Sequence, residues 1–229
     1  MPSRTTTKKS AKRGGSDMRA ERAAEIVARL KRMYPKARIS LDYTNAFELL
    51  IATILAAQST DARVNEVTKE LFRKYPGPEE LAHADPAQLE QEIRATGFFR
   101  SKTKSIIGAS AALLKEHGGR VPETMEELVA LPGVGRKTAN VVLGNVFGKA
   151  AGVVVDTHVA RVSQRLALTS HSDPEKIEAD LMAVLPKSAW VSFPHRVILH
   201  GRAICVARKP KCAECLLNDV CPSAREPLS

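Results

Sequence analysis

Beyond residue 16 the apolar positions recur every three or four residues, the period of helices that bury one face. Ile26, Val27, Leu30 and Met33 fall on such a stripe. The stretch from Phe47 to Ala57 is apolar nearly all round, as a helix in the middle of a bundle would be. Helix starts are written plainly. Asp85-Pro86 and Asp173-Pro174 each pair a capping carboxylate with a proline at the first helical position. Thr124 and Glu127 have the spacing of a capping box. Gly97, Gly118-Gly119, Gly148 and Pro186 punctuate between helices. Only Val153–Val155 hints at a strand, and one short strand makes no sheet. The pattern predicts an all-α fold of about ten helices.

Composition adds a charge argument. The 229 residues are 44% hydrophobic, enough for a sizeable core in one or two domains. Net charge is +10, and five of those charges (Arg4, Lys8, Lys9, Lys12, Arg13) precede the first acid, leaving +5 for the rest. A basic surface outside the tail points to a polyanionic partner, although a merely soluble basic surface fits charge alone. The longest apolar run, Leu49 to Ala57, falls short of the ~20 residues a bilayer needs. No apolar signal core is visible at the N-terminus. Residues 1–16, basic and rich in Ser and Thr, lack the apolar face of a targeting helix. They are expected to be a disordered arm that adds phosphate contacts. The expected setting is soluble, intracellular and reducing, with no membrane.

Cys205, Cys212, Cys215 and Cys221 are the only cysteines, spaced C-x6-C-x2-C-x5-C. Four thiols this close in an intracellular-type chain point to metal rather than disulfides. Zinc sites of four cysteines usually show two short knuckles separated by a longer loop. Here one C-x2-C is flanked by wider gaps, which leans to a [4Fe–4S] cube with its four separate iron corners, with zinc as the rival. From Leu181 to Ala213 no acid occurs, whereas Arg208, Lys209 and Lys211 lie inside the first cysteine loop. Such a loop suits phosphate contact. A basic rim on an electron-transfer centre is the alternative.

The stretch LPGVGRKTAN, Leu131–Asn140, reads as the turn between two helices. It puts Arg136 and Lys137 at a helix start, where the backbone dipole favours acids. Gly133 and Gly135 allow positive φ and close backbone approach. The free N–H groups behind them form an anion site, which a DNA phosphate can fill. A plain helical hairpin is the simpler reading of the turn alone.

LPGVGRKTANVVL, then VDTHVARV (Val155–Val162), then the cysteine spacing, together resemble the helix-hairpin-helix DNA glycosylases that carry an iron–sulfur cluster, the endonuclease III branch most closely. FELLIATILAAQSTD (Phe47–Asp61) and VILHGRAICVARKPKC (Val197–Cys212) extend the likeness to about residues 18–222. The resemblance implies two helical domains with the active site in a cleft between them. A six-helix domain over 41–150 would hold the helix-hairpin-helix at 123–147. The N-terminal helix at 17–40 would join residues 151–229 and the cluster loop at 205–221. It implies one [4Fe–4S] cluster on the four cysteines, of structural rather than catalytic use. It further implies a monomer acting on double-stranded DNA that carries damaged pyrimidines or abasic sites, as a glycosylase that also nicks the strand.

Residue by residue, Lys137 matches the family's nucleophile and Asp156 its catalytic carboxylate. An attacking amine must be neutral, and the helix start together with Arg136 disfavours an ammonium. Without the resemblance, Lys137 reads as a phosphate contact and Asp156 as an N-cap for the helix of Val159, Val162 and Leu166. Gln58 matches the glutamine that fills the hole left by a flipped base. Phe98 sits where the family usually has leucine as a wedge. That departure leaves the opposite-base preference open, and a core position at a helix end is the plainer reading of Phe98. His158, His195 and His200 lack the spacing of a compact zinc site and are expected to pack or hydrogen-bond.

Two rivals remain at this level. The adenine-mismatch branch of the same superfamily, or another monofunctional glycosylase, shares hairpin and cluster. That branch usually lacks the hairpin lysine and carries a further C-terminal domain, whereas this chain has Lys137 and ends eight residues after Cys221. A non-catalytic, redox-sensing DNA-binding protein would not need Lys137 and Asp156 together.

Overall fold

The computed structural model describes residues 7–224, with side chains from residue 18 onward. Among the described residues all regular structure is helical, as the periodicity predicts. The chain divides into two compact units, one formed by residues up to Arg38 together with those from Gly152 onward, the other by Ile39–Ala151.

The first unit opens with α1 (Thr7–Met33). The arm expected to be disordered over residues 1–16 therefore overlaps a helix from Thr7, where lysine, arginine and alanine favour helix. Residues 1–6 of that arm lie outside the described residues.

The second unit contains α2 (Ala46–Leu55), α3 (Asp61–Lys74), α4 (Pro78–Ala82), α5 (Pro86–Glu92), α6 (Phe99–His117), α7 (Met125–Ala130) and α8 (Arg136–Asn145). Its centre is α2, where Leu49, Leu50, Ile51, Ala52 and Leu55 are fully buried. A buried leucine or isoleucine contributes ~1.5–3 kcal/mol through burial. Polar ends fix where this apolar helix starts. Asn45 accepts from the Glu48 amide at 2.9 Å, and the Glu48 carboxylate reaches back to the Thr44 amide. Asp85 caps α5 with Pro86 in its first turn, as the sequence predicts. The Thr124 hydroxyl caps α7 at the Glu127 amide, 3.3 Å away. The Glu127 carboxylate accepts from that same hydroxyl rather than from the cap amide, a variant of the box.

The chain returns to the first unit with α9 (Thr157–Arg165), α10 (Pro174–Val184) and α11 (Ser192–Ala203). Ile26 and Leu30 of α1 share one core with Val159 and Val162 of α9, Ile177 and Leu181 of α10, and Phe193 and Val197 of α11. The valines at 153–155 form no strand, since nothing among the described residues pairs with them; Val153 instead fills this core.

Candidate functional site

The hairpin is α7, a five-residue turn and α8. Leu131 and Val134 point into the second unit's core at 3% and 6% exposure, which leaves Pro132, Gly133 and Gly135 outside. Gly133 is required twice over. Its φ is +75°, and a Cβ there would lie 2.5 Å from the Cβ of Ser105 on α6. The turn is therefore seated against α6. Gly135 is the N-cap of α8, and no side chain caps that helix. Its first-turn amides remain available to an outside acceptor. Arg136 and Lys137 occupy the first two helical positions, both exposed.

Two further residues of this unit stand out by backbone conformation. Gln58, exposed in the turn between α2 and α3, has φ +54°. Phe98, just ahead of α6, has φ +49° with its ring 64% exposed. The plainer expectation for Phe98, a core residue, does not hold. Among the described residues only four non-glycines have positive φ, the others being Ala167 and Lys209. Left-handed backbone costs an L-residue about 1–2 kcal/mol, so it persists where surroundings impose it, often at functional loops. Three of these four, Gln58, Phe98 and Lys209, are among the residues expected from the sequence and its family resemblance to contact DNA. Ala167 has a local explanation as the left-handed residue that closes α9, where the Leu168 amide donates to the Ser163 carbonyl at 2.9 Å.

In the first unit, Asp156 is the N-cap of α9. Its Oδ1 accepts from the Val159 amide at 2.7 Å, and the residue is half-buried. The same helix carries two arginines that bind the cysteine loop. Arg165 donates to the Val206 and Ala207 carbonyls, both at 2.8 Å, and lies 3.4 Å from Cys205 Sγ. Arg161 donates to the Gly201 carbonyl at 3.0 Å and the Cys205 carbonyl at 3.2 Å. From α1, Arg29 pairs with Asp219 and donates to the Leu216 carbonyl at 3.0 Å, and its guanidinium holds the Asp219 carboxyl below the usual carboxylate range. The loop between Cys205 and Cys212 exposes Arg208, Lys209 and Lys211 on its outside.

All four cysteines line a single cavity with Val162, Leu166, His200 and Ile204. Among the described residues no three His, Cys, Asp or Glu side chains converge tightly enough to hold one ion. The thiols line one shared space, which a cube with four corners would fill. Burial pushes the Cys215 and Cys221 thiols up, and bound iron would supply the positive charge that burial withholds from their thiolates. The Leu217 amide approaches Cys215 Sγ at 3.4 Å. His200 Nε2 approaches the same sulfur at 3.5 Å, while the other His200 nitrogen meets the Tyr34 hydroxyl at 3.3 Å. His200 is 1% exposed, and its burial pushes its pKa down to about 4. Sequence reasoning leaves His200, Arg161 and Arg165 without this setting. The one sequence signal near them is the basic, acid-free run leading to the cysteines.

Residues 51–187 match the HhH-GPD superfamily base excision DNA repair protein model, and residues 205–221 match the iron-sulfur binding domain of endonuclease III. The endonuclease III of Synechocystis sp. is 55% identical over 205 residues, covering 90% of this chain and 94% of that protein. The chain belongs to the endonuclease III family. Two similar solved structures are a non-covalent endonuclease III–DNA complex and a trapped endonuclease III–DNA covalent intermediate with an estranged adenine. Each is 43% identical, with TM-scores of 0.82 and 0.81. They match 87% and 86% of this chain and 94% and 93% of their own. The endonuclease III relationship makes this chain a bifunctional base excision repair enzyme, a DNA glycosylase and abasic-site lyase, carrying a [4Fe–4S] cluster. No helix of the described residues is long and apolar enough to cross a membrane.

Proposed function

We propose that Lys137 is the nucleophile of this enzyme and that its substrates are oxidised pyrimidines and abasic sites in double-stranded DNA. The observation that carries the reading is an exposed lysine in the uncapped first turn of a glycine hairpin, in a chain of the endonuclease III family. A similar endonuclease III is known as a covalent DNA intermediate, the kind of species an attacking amine forms. The Lys137 amine attacks C1′ of the target sugar. The C1′–N bond to the base breaks, and the base leaves as it takes up a proton. Opening of the sugar ring breaks C1′–O4′, O4′ takes up a proton and the amine adduct becomes an iminium; on a preformed abasic site the same iminium forms by attack on the C1′ aldehyde with loss of water. Removal of a C2′ proton then expels the 3′ phosphate by β-elimination, leaving a nick 3′ to the site. Asp156 stabilises the positive charge that develops at C1′ and assists proton transfer.

The remaining residues hold the DNA. Gly133, Gly135 and the amides of the α8 start take one phosphate, which also offsets the Arg136 charge. Gln58 fills the hole left by the extruded base, and Phe98 wedges beside the opposite base. Cys205, Cys212, Cys215 and Cys221 ligate the cluster, which orders a loop whose Arg208, Lys209 and Lys211 contact further phosphates. The enzyme works as a monomer inside the cell.

Incubating the protein with duplexes carrying thymine glycol, uracil or a preformed abasic site, and resolving the products, tests this reading. The expected result is base loss and a nick with the thymine glycol duplex, and a nick with the abasic duplex. An intact abasic strand as the end product would mean a monofunctional enzyme. Salt dependence tests the basic loop. Replacing Lys209 and Lys211 together with alanine should flatten the plot of log affinity against log salt by about 0.9 for each phosphate no longer neutralised. An unchanged slope would remove that loop from the DNA interface.

A further inference from the structure

Phe98 stands on a two-sided clamp built by the first turn of α6. Its own carbonyl accepts from the Lys102 amide and from the Ser101 hydroxyl, both at 3.1 Å. On the other side the 3-10 turn Arg94–Thr96 ends at Gly97, φ +71°, so the Thr96 carbonyl has no helical amide to continue to. The Lys102 side chain supplies the missing donor, with Nζ 2.7 Å from Thr96 O. Phe99, the next aromatic, is held between the guanidinium groups of Arg94 and Arg100, at 5.6 and 5.8 Å from its ring centre. Phe98 is thus the one ring of the pair left in solvent.

Lys102 is an unusual residue for this duty. It is 4% exposed, and among the described residues the Thr96 carbonyl is the one hydrogen-bond partner of its amine. Burial with no carboxylate beside it pushes its pKa below the usual lysine value. Methionine would fill the same space with no amine to desolvate. What methionine cannot do is tie down Thr96 O. A wedge needs that tie, because unstacking a base loads the ring, and a left-handed phenylalanine relaxes under load unless both flanks are held.

We propose that Lys102 is a positioning residue for base excision, whose buried amine locks the Thr96–Phe98 turn so that Phe98 can press into the duplex. This rests on Phe98 acting as the wedge in the function set out above. The test is single-turnover excision of thymine glycol from duplex DNA at saturating enzyme, with wild type, Lys102→Met, Phe98→Ala and the double variant. Lys102→Met is expected to slow excision about tenfold, the size of one charge-assisted hydrogen bond, with its melting temperature unchanged or raised. Phe98→Ala is expected to slow it at least as much, and the double variant no further than Phe98→Ala alone. A residue with only a structural role would not give that non-additivity. Lys102→Gln removes the same bond and replaces the methionine variant if that fails to fold. Wild-type excision rates in the Lys102 variants overturn the proposal. So do losses that multiply in the double variant, or a Phe98→Ala enzyme as fast as wild type. In each of those cases wild type still removes the base, so the glycosylase reading stands. Absence of excision by wild type would instead sink that reading and this inference together.

Discussion

Asp156→Asn should slow base excision by about a hundredfold or more, the loss typical when one preorganised electrostatic group is removed from a charged transition state. The substitution isolates charge from structure. Asp156 already has a structural duty, accepting the Val159 amide at 2.7 Å as the N-cap of α9. Asparagine caps as well as aspartate, so the helix, its Val159 and Val162 core contacts and the Arg161 and Arg165 ties to the cysteine loop should persist. Asp156→Ala, by contrast, would also lose the cap, about 1 kcal/mol, and would confuse the two effects. Single-turnover excision together with a thermal melt separates them. On a preformed abasic site, where no base need be expelled, Asp156→Asn should lose less. An Asp156→Asn enzyme with wild-type excision would reduce Asp156 to a helix cap.

Lys137→Ala should abolish strand cleavage at abasic sites, by about four orders of magnitude or more, the scale felt when a covalent nucleophile is removed. Binding should survive, because the phosphate site proposed at the hairpin uses Gly133, Gly135 and uncapped amides that the substitution leaves in place. Folding should survive as well. Lys137 is exposed at the positive end of α8, where a cation is unfavourable by about 0.3–1 kcal/mol, and alanine is the better helix former. A stability assay should therefore show an unchanged or slightly higher melting temperature. Gel-shift affinity near wild type with no nicking is the expected pair of results. A large loss of affinity would instead make Lys137 mainly a DNA contact.

Much of this is written in one dimension. Helical period, capping residues at Asp85, Thr124 and Asp173, and glycine punctuation are local signals, and local physics decides them. The cysteine spacing is equally local, and it favours a cluster over zinc without any coordinates. What sequence does not supply is partners brought together by folding. His200 next to Cys215, Arg165 next to Cys205 and Arg29 next to Asp219 join residues 15, 40 and 190 positions apart. Nor does a sequence announce left-handed backbone at Gln58 and Phe98, since neither residue type prefers it. A buried lysine looks the same in a sequence as an exposed one, so nothing there singles out Lys102. The valines at 153–155 mislead in the other direction. Strand propensity is realised only beside a partner strand, and they have none among the described residues.

A chemical trap reads out the nucleophile itself. The wild-type enzyme is incubated with thymine glycol duplex in the presence of borohydride, and the linked peptide is identified by mass spectrometry. A covalent enzyme–DNA adduct reduced onto the side chain of Lys137, and absent from Lys137→Ala, is the expected result. An adduct on another residue, or one formed by Lys137→Ala at the wild-type rate, would contradict Lys137 as the nucleophile.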